Sequence, residues 1–219
     1  MWTNRAASWM ILRLSLFCRL DVRGWENLPE KPYLVVANHR GFCDVLLLIW
    51  AASAQGVSKK EVFYFPMMGL LGYLGGAVFF DRNRAEDRRR AKEETLLMLQ
   101  RGNAMHIYPE GTRARDELLR EKLYWGLVHA AWERGFRVLP TALWGTDRVL
   151  PVSNAGIRYG QSVRVRFGTA VEATDHATAE SFTQAIWSQV TQMVTEFYSG
   201  DPSSASTSST GTTPPTSNM

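Results

Sequence analysis

The amino-acid sequence predicts an α/β domain of layered strands and helices. Three observations predict it. Short β-branched runs such as Tyr33 to Ala37 alternate with longer helical patterns. Of the 219 residues, 45% are hydrophobic, enough for one substantial core. Gly- and Pro-bearing turns separate the runs. The formal charge of +4 favours an anionic partner, whether phospholipid headgroup, nucleotide-bearing carrier or nucleic acid, and selects none of them by itself. The only cysteines are Cys18 and Cys43, and no clean cleavable signal precedes the domain. Reduced thiols on a cytosol-facing protein are therefore expected rather than a disulfide framework.

In MWTNRAASWMILRLSLFCRL, Arg5, Arg13 and Arg19 interrupt an apolar series that includes Trp2, Trp9, Ile11, Leu12, Leu16 and Phe17. The longest uncharged run there, Ala6 to Leu12, falls well short of the roughly 20 apolar residues a spanning helix needs. The pattern fits an amphipathic helix in the headgroup region with snorkelling arginines, or a first helix packed on the domain's own core.

Asp21 to Gly24 reads as extended, and Pro29 and Pro32 then oppose a helix. Tyr33 to Ala37 is a buried strand and Val45 to Ala52 a buried helix. The apolar block Val62 to Phe80 is broken by Pro66, Gly69, Gly72, Gly75 and Gly76 and ends in the strand Ala77 to Phe80. Asn83 to Gln100 is a helix with Arg89–Glu93 and Arg90–Glu94 four apart, stopped by Gly102. Then come a strand over Ala104 to Tyr108, a helix over Leu118 to Arg134 and a strand from Arg137 to Trp144 broken by Pro140. In Ser162 to Phe167 the alternation of Arg164 and Arg166 with Val163, Val165 and Phe167 predicts a half-exposed or edge strand. A helix over Ala179 to Tyr198 closes the domain, and the Ser-, Thr- and Pro-rich tail cannot offset its ordering entropy. The expected organisation is a membrane-associating segment over 1–20, a domain over 21–198 and a disordered tail over 199–219.

The chemistry concentrates in NHRGFCD. His39 and Asp44 are five apart, an offset that on one continuous helix rotates about 500° and leaves the side chains roughly 140° apart. The pair meets only if His39 lies in the loop and Asp44 in the first turn of the following helix, where an acid is also favoured by the helix dipole. The carboxylate then fixes one imidazole nitrogen and leaves the other as a base, although a histidine satisfied beside a capping aspartate would look the same.

GGAVFFDR, YPEGTR and VLPTALWG follow, each at the C-terminal end of a strand or in the loop after it, where open α/β sheets gather their sites. With these four blocks in order, the chain resembles the glycerolipid acyltransferase family that includes lysophosphatidic acid acyltransferases. The matching residues are His39 and Asp44; Gly76, Phe79 and Arg82; Glu110, Gly111, Thr112 and Arg113; and the strand around Pro140. The resemblance covers roughly residues 20 to 170. It implies a central mixed, mostly parallel sheet flanked by helices, at a membrane surface on its cytoplasmic face. It also implies acyl transfer from acyl-CoA or acyl carrier protein to the free hydroxyl of a lysophospholipid, lysophosphatidic acid first among them. His39 would deprotonate that hydroxyl, Asp44 would orient His39, and no acyl-enzyme would form. Arg82, Glu110, Gly111, Thr112 and Arg113 would bind the acceptor's phosphate and glycerol, which suits guanidinium forks and a Gly-containing loop. The Val62 to Phe80 block would be an acyl-chain surface or plain core.

The chain departs from the family pattern in three places. Gly41 stands where Ser or Thr is common, Ala114 follows Arg113 where Ser is common, and Tyr124 and Trp125 precede Gly126 with Lys122 displaced. Cys43 beside Asp44 also reads as a thiol nucleophile, or as a small apolar residue at a buried helix start. His106, His129 and His176 lack metal-ligand companions at suitable spacing, so neither metal nor cofactor is expected. No Gly-x-Ser-x-Gly elbow favours a serine hydrolase, and the basic residues are interleaved with acids as nucleic-acid binders rarely are. The alternative of another class is a non-catalytic lipid-binding or lipid-sensing protein of the same fold.

Overall fold

A computed structural model describes residues 2–60, 77–81, 83–114, 119–151 and 156–199. Its centre is a seven-stranded mixed sheet in the order β1-β7-β6-β2-β5-β3-β4. The strands are β1 (Arg19–Arg23), β2 (Tyr33–Ala37), β3 (Ala54–Lys59), β4 (Val78–Phe80), β5 (Ala104–Ile107), β6 (Val138–Trp144) and β7 (Ser162–Phe167). All neighbouring pairs are parallel except β6 with β7, so β1 and β7 run opposite to the other five.

The helices are α1 (Trp2–Met10), α2 (Asp44–Ala52), α3 (Ala85–Gln100), α4 (Gly126–Glu133), the short α5 (Thr146–Val149) and α6 (Ala179–Ser199). Strand β2 is buried on both faces and divides the core. Val35 and Ala37 join Leu12, Leu47, Leu139 and Val163 on one side, while Leu34 and Val36 join Leu96, Met105, Val128 and Ile186 on the other. The continuous apolar run YLVVA is what two-sided burial demands.

The N-terminal segment divides its loyalties. Leu12 and Ser8 are fully buried, and Arg5 Nε donates to the Trp50 carbonyl at 2.9 Å, so one face packs on α2. Trp9, Met10, Leu14 and Phe17 are exposed on the other. Among the described residues no helix is long and apolar enough to cross a membrane.

The local structure departs from expectation in several places. The helix expected from Leu118 begins at Gly126, because the Arg120 and Tyr124 amides donate instead to Glu110 Oε2 (3.2 Å) and to the Pro109 carbonyl (2.7 Å). Pro140 does not break β6. Its carbonyl accepts from Gly168, so its missing N–H faces the same flank, beyond Thr141 where the register with β7 stops. Strand β7 is half-exposed but not an edge, since it lies between β1 and β6. Strand β3, in the weakly apolar AQGVSK, was not expected at all. Its Gly56 lies under the His106 ring, where a Cβ would come within 2.6 Å of Nε2. On α3, Arg90 pairs with Glu94 as expected, but Glu93 reaches Arg134 rather than Arg89. The block at 61–76, Arg82 and the tail beyond 199 lie outside the described residues.

Candidate active site

Strand β2 delivers its chain to the C-terminal end of the sheet, and Asn38 sets the departure. Its Oδ1 accepts from the Leu143 amide at 2.7 Å and its Nδ2 donates to the Leu143 carbonyl at 3.0 Å. The side-chain amide thus extends the β2–β6 ladder after the β2 backbone has turned away.

His39 and Asp44 meet as the spacing required, with the aspartate first in α2. Nδ1 of His39 lies 2.7 Å from Oδ2 of Asp44, and the same oxygen accepts from the Arg40 and Gly41 amides at 2.7 and 2.9 Å. Three donors on one oxygen of a fully buried side chain fix both the carboxylate and the loop around it. They also make Nδ1 the protonated nitrogen, so Nε2 carries the free lone pair. The His39 side chain keeps 19% of its surface exposed, so that nitrogen opens outward.

The Glu-Gly-Thr-Arg loop is stitched to the same histidine. The His39 amide donates to Glu110 Oε1 at 2.8 Å, and the His39 carbonyl accepts from the Ala114 amide at 2.9 Å. Gly111, with φ +65, makes the turn between them, and a Cβ there would press on the Tyr124 ring at 3.2 Å. Thr112 and Arg113, both half-buried, are therefore carried beside the histidine by hydrogen bonds with the His39 backbone on either side, at the Glu110 carboxylate and the Ala114 amide. Glu110 faces inward. Its carboxyl holds the His39 and Arg120 amides rather than Arg113, and burial pushes its pKa up to about 7 against the lowering effect of those two donors.

Two residues join the site that the sequence did not single out. Tyr108, at the start of the Tyr-Pro-Glu-Gly turn, stacks on His39 with ring centres 4.1 Å apart and planes within 9°. Its buried hydroxyl is driven well above the usual phenol range, so the ring stays neutral. Thr146 on α5 abuts Gly41 so closely that a Cβ at 41 would lie 2.4 Å from its carbonyl carbon. The glycine is thus imposed by backbone contact, which accounts for the loss of a hydroxyl side chain there. Arg40 turns away to Asp147 at 3.0 Å.

His106, behind Tyr108, donates to the Ala54 carbonyl at 3.0 Å and is pushed down to about 4 by burial, so it is neutral at pH 7. Cys43 is buried, and its thiol is driven up to about 12 by burial, then by the charges of Asp44 and Cys18. Its environment is the opposite of what a thiolate nucleophile needs. The structure thus brings together His39, Asp44, Glu110, Gly111, Thr112 and Arg113, whereas Arg82 lies outside the described residues.

A family model described as Acyltransferase matches residues 19–144, more than half of the chain. The chloroplastic 1-acyl-sn-glycerol-3-phosphate acyltransferase LPAT1 of Arabidopsis thaliana is 29% identical over 163 residues, covering 73% of this chain and 46% of that protein. The lyso-ornithine lipid O-acyltransferase of Pseudomonas aeruginosa is 34% identical over 140 residues, covering 64% and 54%. The crystal structure of the 1-acyl-sn-glycerophosphate acyltransferase PlsC from Thermotoga maritima superposes with a TM-score of 0.78 at 25% identity, covering 90% of this chain and 78% of that one. The chain spans about half the length of the curated relatives it matches. With the matched segment running through every block that builds the site, the chain belongs to the Acyltransferase family.

Proposed function

We propose that the protein transfers a fatty acyl group from a thioester, acyl-CoA or acyl carrier protein, to the free hydroxyl of a lysophospholipid at a membrane surface. The observation that carries this reading is the 2.7 Å pairing of His39 with Asp44, in a loop locked to Glu110 and Ala114. Nε2 of His39 removes the proton as the hydroxyl oxygen attacks the thioester carbonyl. The tetrahedral intermediate expels the thiolate, which takes the proton back from the imidazolium, so no acyl-enzyme is needed. Asp44 holds the tautomer and stabilises the transient imidazolium. Arg113 and Arg82, with Gly111 and Thr112, bind the acceptor headgroup, and Glu110 serves that site by holding its loop.

Lysophosphatidic acid, giving phosphatidic acid, is the first acceptor on this reading. It accords with the activity for which the Arabidopsis relative is named and with guanidinium recognition of a phosphate. A second acceptor is favoured by the 34% identity to a lyso-ornithine lipid O-acyltransferase. A hydroxyl on an aminolipid would meet the same base. On this reading α1 rests on the cytoplasmic face of the bilayer.

The test is thiol release by the purified full chain offered acyl-CoA and acyl carrier protein donors with lysophosphatidic acid or lyso-ornithine lipid in mixed micelles. Release that depends on one of these acceptors, matched mole for mole by diacyl product, is expected. Binding to the micelles without thiol release would instead favour a lipid-binding protein.

A further inference from the structure

The chain segment Ile157 to Gly160 completes a surface at the mouth of the sheet. Because β7 is antiparallel to β6, with Arg164 opposite Trp144, the residues preceding β7 leave the sheet at the end where β6 and β2 terminate. That is the His39 end. Strand β1 runs parallel to β7 with Arg19 opposite Ser162, so the residues preceding β1 leave there too. The two approaches are tied together by the Gly160 amide donating to the Leu16 carbonyl at 3.0 Å and the Arg19 amide to the Gln161 carbonyl at 2.9 Å. The Arg158 amide donates to the Val149 carbonyl at 2.8 Å, fastening the turn to α5, which abuts Gly41 in the His39 loop.

The side chains on this rim point the wrong way for a core. Phe17 is 62% exposed, Tyr159 59% and Ile157 51%, and Trp9, Met10 and Leu14 are exposed earlier in the N-terminal segment. Phe17 and Tyr159 meet edge to face with ring centres 6.4 Å apart. Phe17 also adopts φ +53, a left-handed conformation that costs a bulky residue on the order of 1 kcal/mol and is kept only where the surroundings impose it. The cost places an aromatic ring in solvent. Large apolar side chains left exposed on two segments that meet through an aromatic pair mark an interaction site.

Charge selects the partner. Residues 9–20 contain the exposed Arg13 and Arg19 and no acid, and residues 156–163 contain the exposed Arg158 and no acid. A second copy of the same surface would be repelled, whereas an anionic headgroup layer over an apolar interior complements both features.

We infer that the turn Ile157–Arg158–Tyr159, together with the exposed face of residues 9–17, forms one surface that docks on anionic phospholipid bilayers and sets the mouth of the His39 site against the headgroups. The inference deepens the proposed function by giving its membrane contact a second, sequence-distant half.

The full chain should sediment with phosphatidylcholine vesicles that contain phosphatidylglycerol, less with phosphatidylcholine alone, and should be released by added salt. The double variant Ile157→Asp with Tyr159→Asp should bind the anionic vesicles about tenfold more weakly. The milder pair Ile157→Ser with Tyr159→Ser should weaken binding less, with an unchanged circular dichroism spectrum. Turnover of a short-chain lysophospholipid dissolved as monomer should be the same in both variants as in the parent. That arm reads the proposed reaction separately, since an inactive parent that still shows the vesicle effect would sink only the reaction. Vesicle binding unchanged in both variants would overturn the docking surface. So would a parent that dimerises in solution and whose variants become monomers.

Discussion

The His39 loop and the rim at residues 9–17 and 157–160 stand at the same end of the sheet and are built in opposite ways. Around His39 both backbone and side chains are committed inward. The amide and carbonyl of His39 and the amides of Arg40 and Gly41 are paired, and the ring lies between the Asp44 carboxylate and Tyr108. Along the rim the backbone is tied just as firmly, but Phe17, Ile157 and Tyr159 project into solvent. Preorganised chemistry needs side chains that cannot move, whereas a docking surface needs side chains with nothing yet to touch. The backbone serves both by being fixed.

Changes at the loop should therefore cost rate or stability in soluble assays, and changes at the rim should cost neither. Among the residues that support the base, the largest effect is expected from Asp44→Asn, which keeps the shape but lets the amide donate where the carboxylate only accepts. Acceptor-dependent kcat should fall by about 10²–10⁴ in steady-state assays, with the fold retained by circular dichroism. Next is Gly41→Ala. Its Cβ would lie 2.4 Å from the Thr146 carbonyl carbon, so chemical denaturation should show a loss of about 1–3 kcal/mol. A variant as stable as the parent would show that the two loops are not in contact.

Glu110 provides a pH test. Its folded pKa of about 7 stands above an ordinary 4.5, so the protonated carboxyl favours the folded state. Its contribution to stability is full below pH 4.5 and is lost as the pH rises through 7. Unfolding free energies measured across that window should decline less steeply in Glu110→Gln, by on the order of 1–3 kcal/mol over the range. Parallel slopes in parent and variant would contradict the buried placement.

The smallest effect is expected at Tyr108. Removing the stacked ring in Tyr108→Leu withdraws support from the imidazolium, which should lower kcat by about two- to fivefold in steady-state assays. Tyr108→Phe, which keeps the ring, should leave kcat close to that of the parent. An equal loss in both variants would transfer the role from the ring to the hydroxyl.

Much of this contrast was legible in the sequence. Runs buried on both faces announce themselves, as YLVVA and VLLLIWAA did, because every residue is apolar. Helical rotation placed His39 in the loop and Asp44 in the first helical turn if the two were to meet, and the four motif blocks together pointed to their meeting. What could not be read depends on tertiary placement. Strand β3 carries little apolar signal because a neighbouring imidazole fills the space over Gly56. The late start of α4 follows from amides at 120 and 124 being drawn to the Glu-Gly-Thr-Arg loop. Glu110 reads as an acceptor ligand in a motif and is found with its carboxyl turned to the His39 backbone. Tyr108 had a signal, an aromatic at a strand end just before the motif, but nothing in the spacing says that its ring faces His39. The rim was half visible, in the arginine-punctuated N-terminus, and half hidden until antiparallel pairing of β7 brought residues 157–160 to the same end.

The central claim is that His39 is the base. It is tested most directly by single-turnover thiol release from an acyl thioester in the presence of lysophospholipid, comparing the parent with His39→Ala. The account predicts a rate lower by about 10³ or more, with lysophospholipid affinity and circular dichroism spectrum unchanged. A His39→Ala protein that turns over within a few-fold of the parent would contradict it.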